Sequence, residues 1–406
     1  MRSRRAAIRS MAAAYLIGAR AVECALQSGR SSMRCICVLV VLIPVVVAQE
    51  TRDLPAPVCA AIAKAAEAER KTKAIPAITV AVGRNGKVRY AGAFGLLDLE
   101  NDVKATPNTR FRTASIAKSM TAVAVMQLAE KGKLDLDADI RDYVPQWPQK
   151  KWKMTARQLL AHLGGVRHYQ RPGESSGTKF YTTLGSTLEL FQDDPLVAEP
   201  GTRFSYTTYG YTLLGLAVEK ASGQLFQSYM GNQVWSPAEM KYTLPDVHHL
   251  VIKNRARGYT KLDRRRWMLL PEFAKKIYKP GMIFNADLHD TTMKVPGGGF
   301  LSTSPDLVRF GLSMLSDKLV SRKTREAIWT RQKTASGEEI RYGLGWNVGV
   351  ASGQRLIAHS GSQSGTSTYL AIMPDSGLVV ACMSNLTGIG MRDLTGTVMK
   401  AVLAGG

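Results

Sequence analysis

The sequence predicts a mixed α/β (α+β) fold, in which an antiparallel sheet is assembled from both ends of the chain and a mainly helical lobe is inserted between them. The prediction comes from a hairpin pattern near each end and from a middle section, about residues 111–290, that is richer in helix and loop patterns. The length of 406 residues and the apolar fraction of 45% exclude a disordered tail and allow a large core.

The first elements after residue 50 are a predicted helix and a predicted hairpin. Residues 53–73 have the composition of a surface helix, with alanine interspersed with lysine and glutamate. Residues 77–82 have a strand pattern, Asn85-Gly86 supplies a type I′ turn, and residues 87–93 return as the second strand.

The last elements are a second hairpin and a closing helix. Residues 366–373 and 378–383 have strand patterns on either side of the turn Pro374-Asp375-Ser376-Gly377, and a helix pattern covers about 391–403. Strands therefore lie at both ends of the sequence. The predicted regions are a sheet-containing lobe, residues 53–110 and 291–406, and a mainly helical lobe, residues 111–290.

Residues 1–48 are predicted to be a signal or targeting segment. Seven arginines precede an uncharged run of 14 residues, 35–48, which is too short for a bilayer core of about 30 Å. A basic flank, a short apolar run and a small-residue exit are typical of secretory signals, so we expect cleavage after Ala48 and a periplasmic or secreted protein. An uncleaved segment would instead anchor the protein to a membrane. Met33 directly precedes the run and is an alternative translation start.

The chain is basic, with a formal net charge of +22. The segment 241–280 contributes strongly, because it holds eleven lysines and arginines against three acids. Either this is a solvated basic loop, or it docks on an anionic surface of the cell envelope. No nucleic-acid motif accompanies it, so nucleic acid is not an expected partner.

Cysteine usage gives no indication of a metal site. Of five cysteines, signal cleavage would leave Cys59 and Cys382, which either form one disulfide or remain buried thiols. No metal or organic cofactor is expected.

The first candidate catalytic residues lie on a predicted buried helix, residues 114–129, where Lys118 is the single charged residue. Ser115 precedes it by three residues, so both side chains share one face. A buried lysine with a lowered pKa beside a serine at a helix start is an activated nucleophile, and the helix N-terminus offers a backbone N–H to an oxyanion. The alternative is a capping serine and a lysine that reaches the surface. The S-x-x-K pattern recurs at 176–179, in a Gly/Ser-rich loop, and we discard that copy.

Two further segments carry candidate residues. Tyr206 stands where an extended run meets a helix, about residues 211–221, and a phenol beside an ammonium ion can act as a general base. His359 lies on a predicted edge strand and could polarise the site or shuttle protons. The Ser362 N–H could be a second oxyanion donor, and the small residues Ser360 and Gly361 would let a substrate backbone approach. The alternatives are a core tyrosine and a structural histidine, and His162-Leu163-Gly164 repeats the short histidine pattern.

In this order, Ser115-Ile116-Ala117-Lys118, Tyr206-Thr207-Thr208 and His359-Ser360-Gly361, the sequence resembles the penicillin-recognising serine hydrolases. That superfamily includes class C-type β-lactamases, D-alanyl-D-amino-acid peptidases and esterases. Most of residues 55–390 carry the likeness, and the stretches at 168–170, 193–196 and 254–257 look closest to the mitochondrial β-lactamase-like serine proteases and their bacterial relatives.

The resemblance implies a β-lactamase/transpeptidase-like fold, with the site between sheet and helical lobe, and an acyl-enzyme mechanism. Ser115 would attack the carbonyl, with Lys118 as general base and Tyr206 as general acid/base that also protonates the leaving nitrogen. The N–H groups of Ser115 and Ser362 would hold the oxyanion, and water would then hydrolyse the ester.

Two departures from the family pattern reduce the expectation of fast β-lactam turnover. Thr208 stands where the family usually has an asparagine that contacts the substrate amide. The threonine side chain has a shorter reach and carries no amide group. His359 stands where efficient β-lactamases have lysine, and histidine is largely neutral at pH 7. Ser360 and Gly361 complete the implied substrate-binding set.

The sequence thus predicts an exported serine hydrolase acting on amide, peptide or β-lactam bonds, with a peptidase or amidase preferred to a true β-lactamase. The alternatives are a short-chain esterase and a non-catalytic penicillin-binding-like scaffold or sensor. The expected partners are a small peptide, β-lactam or ester substrate. Proteins of the protease-like branch can polymerise, so the resemblance also allows a homo-oligomer.

Overall fold

A computed structural model describes residues 51–171 and 173–405, so the predicted signal segment, residues 1–48, lies outside the described residues. The strands are β1 Thr51–Arg52, β2 Ala77–Arg84, β3 Lys87–Asp98, β4 Val103–Lys104, β5 Phe111–Arg112, β6 Leu244–Pro245, β7 Tyr259–Lys261, β8 Ile283–Asn285, β9 Phe300–Ser302, β10 Asn347–Ala351, β11 Gln354–Gln363, β12 Thr366–Met373 and β13 Leu378–Ser384. The α-helices are α1 Ala56–Thr72, α2 Ile116–Glu130, α3 Ala156–Leu160, α4 Tyr209–Ser222, α5 Phe226–Tyr229, α6 Arg264–Met268, α7 Glu272–Ile277, α8 Val295–Gly298, α9 Ser304–Met314, α10 Arg322–Ile328 and α11 Arg392–Gly405.

Both predicted hairpins are present, and they join to form the main antiparallel sheet. Its strand order is β1-β3-β2-β13-β12-β11-β10, with β4 paired to β3. Asn85 and Gly86 have φ of 52° and 74°, as a type I′ turn requires at both central positions. The N-terminal hairpin meets the C-terminal hairpin where β2 pairs with β13, for example Val82 with Val380. The predicted mixed α/β fold, with an antiparallel sheet built from both chain ends, is therefore confirmed.

Alternate residues of the central strands enter two separate hydrophobic cores. Val80 and Val380 face α1 and α11, which pack together on one side of the sheet. Ala81 and Val379 face the other side, where α9 packs against the sheet. Successive side chains of a strand point to opposite faces of the sheet. Because helices cover both faces, β13 is buried along its whole length and is apolar up to its last residue, Ser384.

Cys59 and Cys382 are free thiols that lie in the same core, one on α1 and one on β13. Burial raises the pKa of the Cys382 thiol to about 12. Of the two alternatives that the sequence left open, buried thiols are the one observed.

Between the two ends of the sheet, the chain forms helices and short strands that lead to the candidate site. Strands β5, β9 and β6 form a small sheet in this order, and β5 directly precedes α2 in the chain. Strands β7 and β8 form a separate pair. Short 3₁₀ turns lie at Ile140–Asp142, Gly185–Leu190 and Thr292–Lys294, and a π-helical turn at Met230–Trp235. In the described part of the chain no helix is both long and apolar enough to span a membrane.

Candidate active site

Ser115 lies at the start of the buried helix α2, immediately after a strained turn. Strand β5 ends at Arg112, and the Thr113 N–H donates to Phe300 O at 2.8 Å, which anchors the chain to β9. Ala114 then adopts φ 46°, a left-handed conformation unfavourable for a residue with a Cβ. The turn leaves Ser115 half-buried at the edge of a cleft, while the helix behind it is buried from Ile116 to Leu128.

The predicted serine and lysine are brought together. Lys118 is completely buried, and its Nζ lies 3.2 Å from Ser115 Oγ, 3.0 Å from Thr208 Oγ1 and 2.7 Å from Gly297 O. Desolvation, with a smaller contribution from the positive charge of Lys294, holds the pKa of Lys118 well below its usual value. The alternative of a surface-reaching lysine is wrong.

A neutral Lys118 amine fits these contacts. Gly297 O is an acceptor only, so it takes one N–H, and the Thr208 hydroxyl can take the second. The nitrogen lone pair is then left for the hydroxyl proton of Ser115. This arrangement can remove that proton and so generate an oxygen nucleophile.

Tyr206 also lies beside Ser115, whose side chain opposes part of the effect that burial has on the pKa of Tyr206. Its ring lies 4.9 Å from Lys118 Nζ and packs against His162, with ring centroids 4.2 Å apart. Burial raises the pKa of Tyr206, which is the opposite of what a phenolate base needs. The geometry therefore favours a neutral phenol that donates or relays a proton.

His359 is buried behind the cleft. Its Nε2 lies 2.9 Å from the Tyr342 hydroxyl and its Nδ1 lies 2.7 Å from Ser360 O. Because a carbonyl can only accept, Nδ1 carries the proton and Nε2 accepts from Tyr342. Burial lowers the pKa of His359 to about 4, so the ring is neutral. With both nitrogens engaged, the side chain holds the third motif in position, and the expected role as a polarising group or proton shuttle finds no contact to support it.

The strand that carries His359 is not the edge strand of the sheet, because β10 lies outside it. However, β10 pairs only with residues 354–358, so the stretch 359–363 has an open edge beside Ser115. Gly361 permits this approach, since a Cβ there would lie 2.3 Å from Thr113 O. The prediction of an edge is therefore correct for this stretch alone.

A cleft of about 240 Å³ opens at Ser115. Its lining is Ala114, Ser115, His168, Tyr169, Ser175, Ser176, Thr208, Lys294, Gly297, Gly298, Ser362, Gln363 and Ser364. Thr208 and Ser362 are there, as predicted, but Ser360 is exposed and lines a different groove. Ser360 lies two residues before Ser362 on the same face of β11, and its groove adjoins the cleft at Ser362, so the substrate-binding role expected of Ser360 stays a prediction.

Sequence reasoning missed several residues of this site. Lys294 and Gln363 line the cleft without belonging to any motif, and the discarded loop at 176–179 contributes Ser176. His162, set aside as a repeat of the histidine pattern, packs on Tyr206. Lys294 could have been noticed as the charged residue directly before the apolar, glycine-rich stretch 295–299. Among the described residues, no cluster of histidine, cysteine or acidic side chains could hold a metal ion.

Comparison with known proteins agrees with this geometry. Residues 62–403, well over half of the chain, match the family model described as "Beta-lactamase". The chain is 28% identical over 465 aligned positions to the Homo sapiens protein "Serine beta-lactamase-like protein LACTB, mitochondrial", with 86% of this chain and 81% of that protein covered.

Two solved structures share the fold. The octameric penicillin-binding protein homologue from Pyrococcus abyssi has a TM-score of 0.71 at 25% identity, over 84% of this chain and 77% of that chain. The D-amino acid amidase from Ochrobactrum anthropi SV3, solved with L-phenylalanine amide, has a TM-score of 0.73 at 20% identity, over 86% of this chain and 99% of that chain. The second likeness bears on the fold alone.

Proposed function

The chain belongs to the beta-lactamase family, within the penicillin-recognising serine hydrolases, and we propose that it cleaves amide or peptide bonds through an acyl-Ser115 intermediate. The observation that carries the proposal is the 3.2 Å contact between Ser115 Oγ and the buried Nζ of Lys118. A serine hydroxyl is a weak nucleophile at neutral pH, and a neutral amine at this distance is the base that it needs.

In the proposed acylation step, Lys118 accepts the proton of Ser115 while Oγ attacks the substrate carbonyl. The oxyanion is held by the N–H groups of Ser115 and Ser362, the latter on the open edge of β11. The C–N bond then breaks, Tyr206 delivers a proton to the leaving nitrogen, and Lys118 passes the proton taken from Ser115 to the Tyr206 oxygen, so both groups are restored. Support for the role of Tyr206 is its position beside Ser115, together with the raised pKa that keeps the phenol protonated.

Deacylation uses the same groups in the reverse direction. A water molecule takes the place of the leaving amine, loses a proton to Lys118, and attacks the acyl-serine carbonyl. The Ser115–carbonyl bond breaks, the acid product leaves, and the proton returns to Ser115 Oγ.

Peptide or amide substrates are proposed ahead of β-lactams. The third motif offers the neutral, buried His359 where efficient β-lactamases have a lysine. The Thr208 hydroxyl lies 3.0 Å from Lys118 Nζ, so it is engaged with the base rather than reserved for a substrate amide. Ester hydrolysis by the same acyl-enzyme route is the nearest alternative.

Intact-protein mass spectrometry tests the proposal. Wild type, Ser115→Ala and the control Ser236→Ala, which removes an exposed serine outside the cleft lining, are incubated with a fluorophosphonate and separately with a β-lactam. We expect one adduct on wild type and on Ser236→Ala, and none on Ser115→Ala. The decay rate of the β-lactam adduct separates rapid turnover from the slow deacylation expected of a peptidase.

The competing function is a non-catalytic scaffold or sensor. Absence of any adduct on wild type would favour it, as would a Ser115→Ala protein that keeps its full biological effect. The Pyrococcus abyssi relative is described as octameric, so we also propose self-assembly, to be measured by light scattering at several protein concentrations.

Export and attachment to an anionic surface of the cell envelope are proposed for this protein. Export is supported by the signal pattern of residues 35–48. Attachment is supported by segment 241–280, where exposed Met268, Leu269 and Phe273 follow the basic run 264–266. Such a mixture of apolar and basic side chains suits an anionic lipid surface.

Vesicle sedimentation tests the attachment. Binding should be stronger to anionic than to zwitterionic vesicles and should weaken when Arg264, Arg265 and Arg266 are replaced by glutamate. Equal binding to both lipids, or no effect of charge reversal, would leave the segment as a solvated loop. Export is tested separately by N-terminal sequencing of the mature protein, which should begin at Gln49.

A further inference from the structure

Lys294 is a second lysine at the cleft. It ends the 3₁₀ turn Thr292–Lys294 and is only 3% exposed, yet its side chain lines the same cleft as Ser115. The Nζ donates to Ser175 O at 2.9 Å and lies 5.7 Å from the centroid of the Tyr169 ring. The mechanism proposed above gives this residue no role.

No acid among the described residues forms an ion pair with Lys294. Within the described chain no carboxylate lies within 4 Å of its Nζ, and its hydrogen bond goes to a neutral carbonyl. The acid with a favourable influence on it, Asp246, is already ion-paired to Arg112 at 2.6 Å. A buried ammonium without a counter-ion is costly, and desolvation accordingly lowers the pKa of Lys294 to about 7.

The rest of the cleft supplies donors without matching acids. None of its lining residues is aspartate or glutamate. The Gln363 side-chain nitrogen, which belongs to the same lining, is buried and has no acceptor among the described residues. A ligand that brings carboxylate oxygens into this space would satisfy groups that the protein leaves unpaired.

We propose that Lys294 is a specificity-determining residue that binds a carboxylate of the substrate, so that the enzyme prefers small anionic substrates. The proposal rests on the hydrolase function proposed above and adds the substrate class. It also supplies, from a turn far from the third motif in sequence, a positive charge that the neutral His359 does not provide. The cleft volume of about 240 Å³ limits the bound portion to a short group.

Paired esters test the preference without knowledge of the natural substrate. On the acyl side, p-nitrophenyl hemisuccinate is compared with p-nitrophenyl butyrate. On the leaving-group side, the 3-carboxyphenyl ester of an N-acylglycine is compared with its phenyl ester. The measured quantity is the anionic-to-neutral ratio of kcat/KM, since a ratio cancels general loss of activity.

We expect wild type to prefer the anionic member of at least one pair. Lys294→Met should reduce that ratio by about tenfold to a hundredfold, the range for loss of a charge-assisted hydrogen bond, mainly through KM. Lys294→Arg should retain part of the preference. The control Lys179→Met removes an exposed lysine that does not line the cleft and should leave the ratio unchanged.

The outcomes separate this inference from the proposed function. Fluorophosphonate labelling of Ser115, with an uncharged probe, reports the nucleophile alone. Labelling without an anionic preference in wild type, or with a ratio that Lys294→Met does not change, would overturn the carboxylate site and leave the hydrolase intact. No labelling and no ester hydrolysis would remove both. If Lys294→Met does not fold, as judged by circular dichroism, the wild-type ratios and Lys294→Arg still decide.

Discussion

Two copies of the S-x-x-K pattern, at 115–118 and 176–179, lie in different surroundings, one on a buried helix and one in an exposed loop. Lys118 is fully buried, faces Ser115 and has a strongly lowered pKa. Lys179 is exposed and forms an ion pair with Glu189, which raises its pKa. Reactivity therefore comes from desolvation of the lysine and from the helix that holds serine and lysine on one face, and the spacing alone does not provide it.

Replacing the serine of each copy should give the largest difference in kcat. Ser115→Ala should reduce kcat by about 10³-fold to 10⁶-fold, because the nucleophile is lost. Ser176→Ala should have a far smaller effect, since that side chain lines the cleft without an adjacent base. Ester hydrolysis under saturating substrate measures both, and similar losses in the two variants would contradict the assignment of the nucleophile.

The lysines should differ by a smaller factor. Lys118→Met removes the base and should lower kcat/KM by about 10²-fold to 10⁴-fold. Lys179→Met should change it by less than about twofold, since a solvated surface lysine contributes little. Stopped-flow acylation by an activated ester compares the two, and a rapid Lys118→Met enzyme would transfer the role of base to another group.

The pH profile of acylation should also distinguish the lysines at the cleft from the exposed Lys179. Only the neutral amine of Lys118 accepts a proton, so fluorophosphonate labelling should slow as pH falls through its pKa, well below the ordinary 10.5. The charge of Lys294 helps to lower that pKa. Lys294→Met removes this charge, favours protonated Lys118 and should shift the profile to higher pH, whereas Lys179→Met should not. A shift to lower pH would contradict this coupling.

The smallest effect is expected for the ion pair of the second copy. Glu189→Gln removes the partner of Lys179, but both groups are exposed and screened by water. Thermal unfolding should show no measurable change in Tm at physiological salt. A clear loss of stability would show that this loop is more tightly held than its exposure indicates.

Much of the fold could be predicted because its signals are local. The Asn85-Gly86 turn, the two hairpins and the apolar helix around Lys118 each depend on residues close in sequence. The order of the three motifs identified the family, and it also named Ser115, Lys118 and Tyr206, which the structure brings together.

The questions that the sequence left open concern contacts between distant segments. His359 was expected to act in the cleft, but Tyr342 and a backbone carbonyl engage both of its nitrogens. Ser360 was expected to contact the substrate, and it lines a groove that adjoins the cleft at Ser362. Lys294 belongs to no motif, and His162 was set aside as a repeat of the histidine pattern, since the importance of both comes from what packs around them.

By itself, the sequence determined the two hairpins, the buried nucleophile helix and the serine–lysine pair, because turn residues and hydrophobic spacing act over a few residues. Only the tertiary structure decided which groups desolvate Lys118, that Cys59 and Cys382 remain thiols, and that Lys294 enters the cleft. These properties depend on the low-dielectric environment that distant segments create together, and no single segment of the sequence encodes that environment.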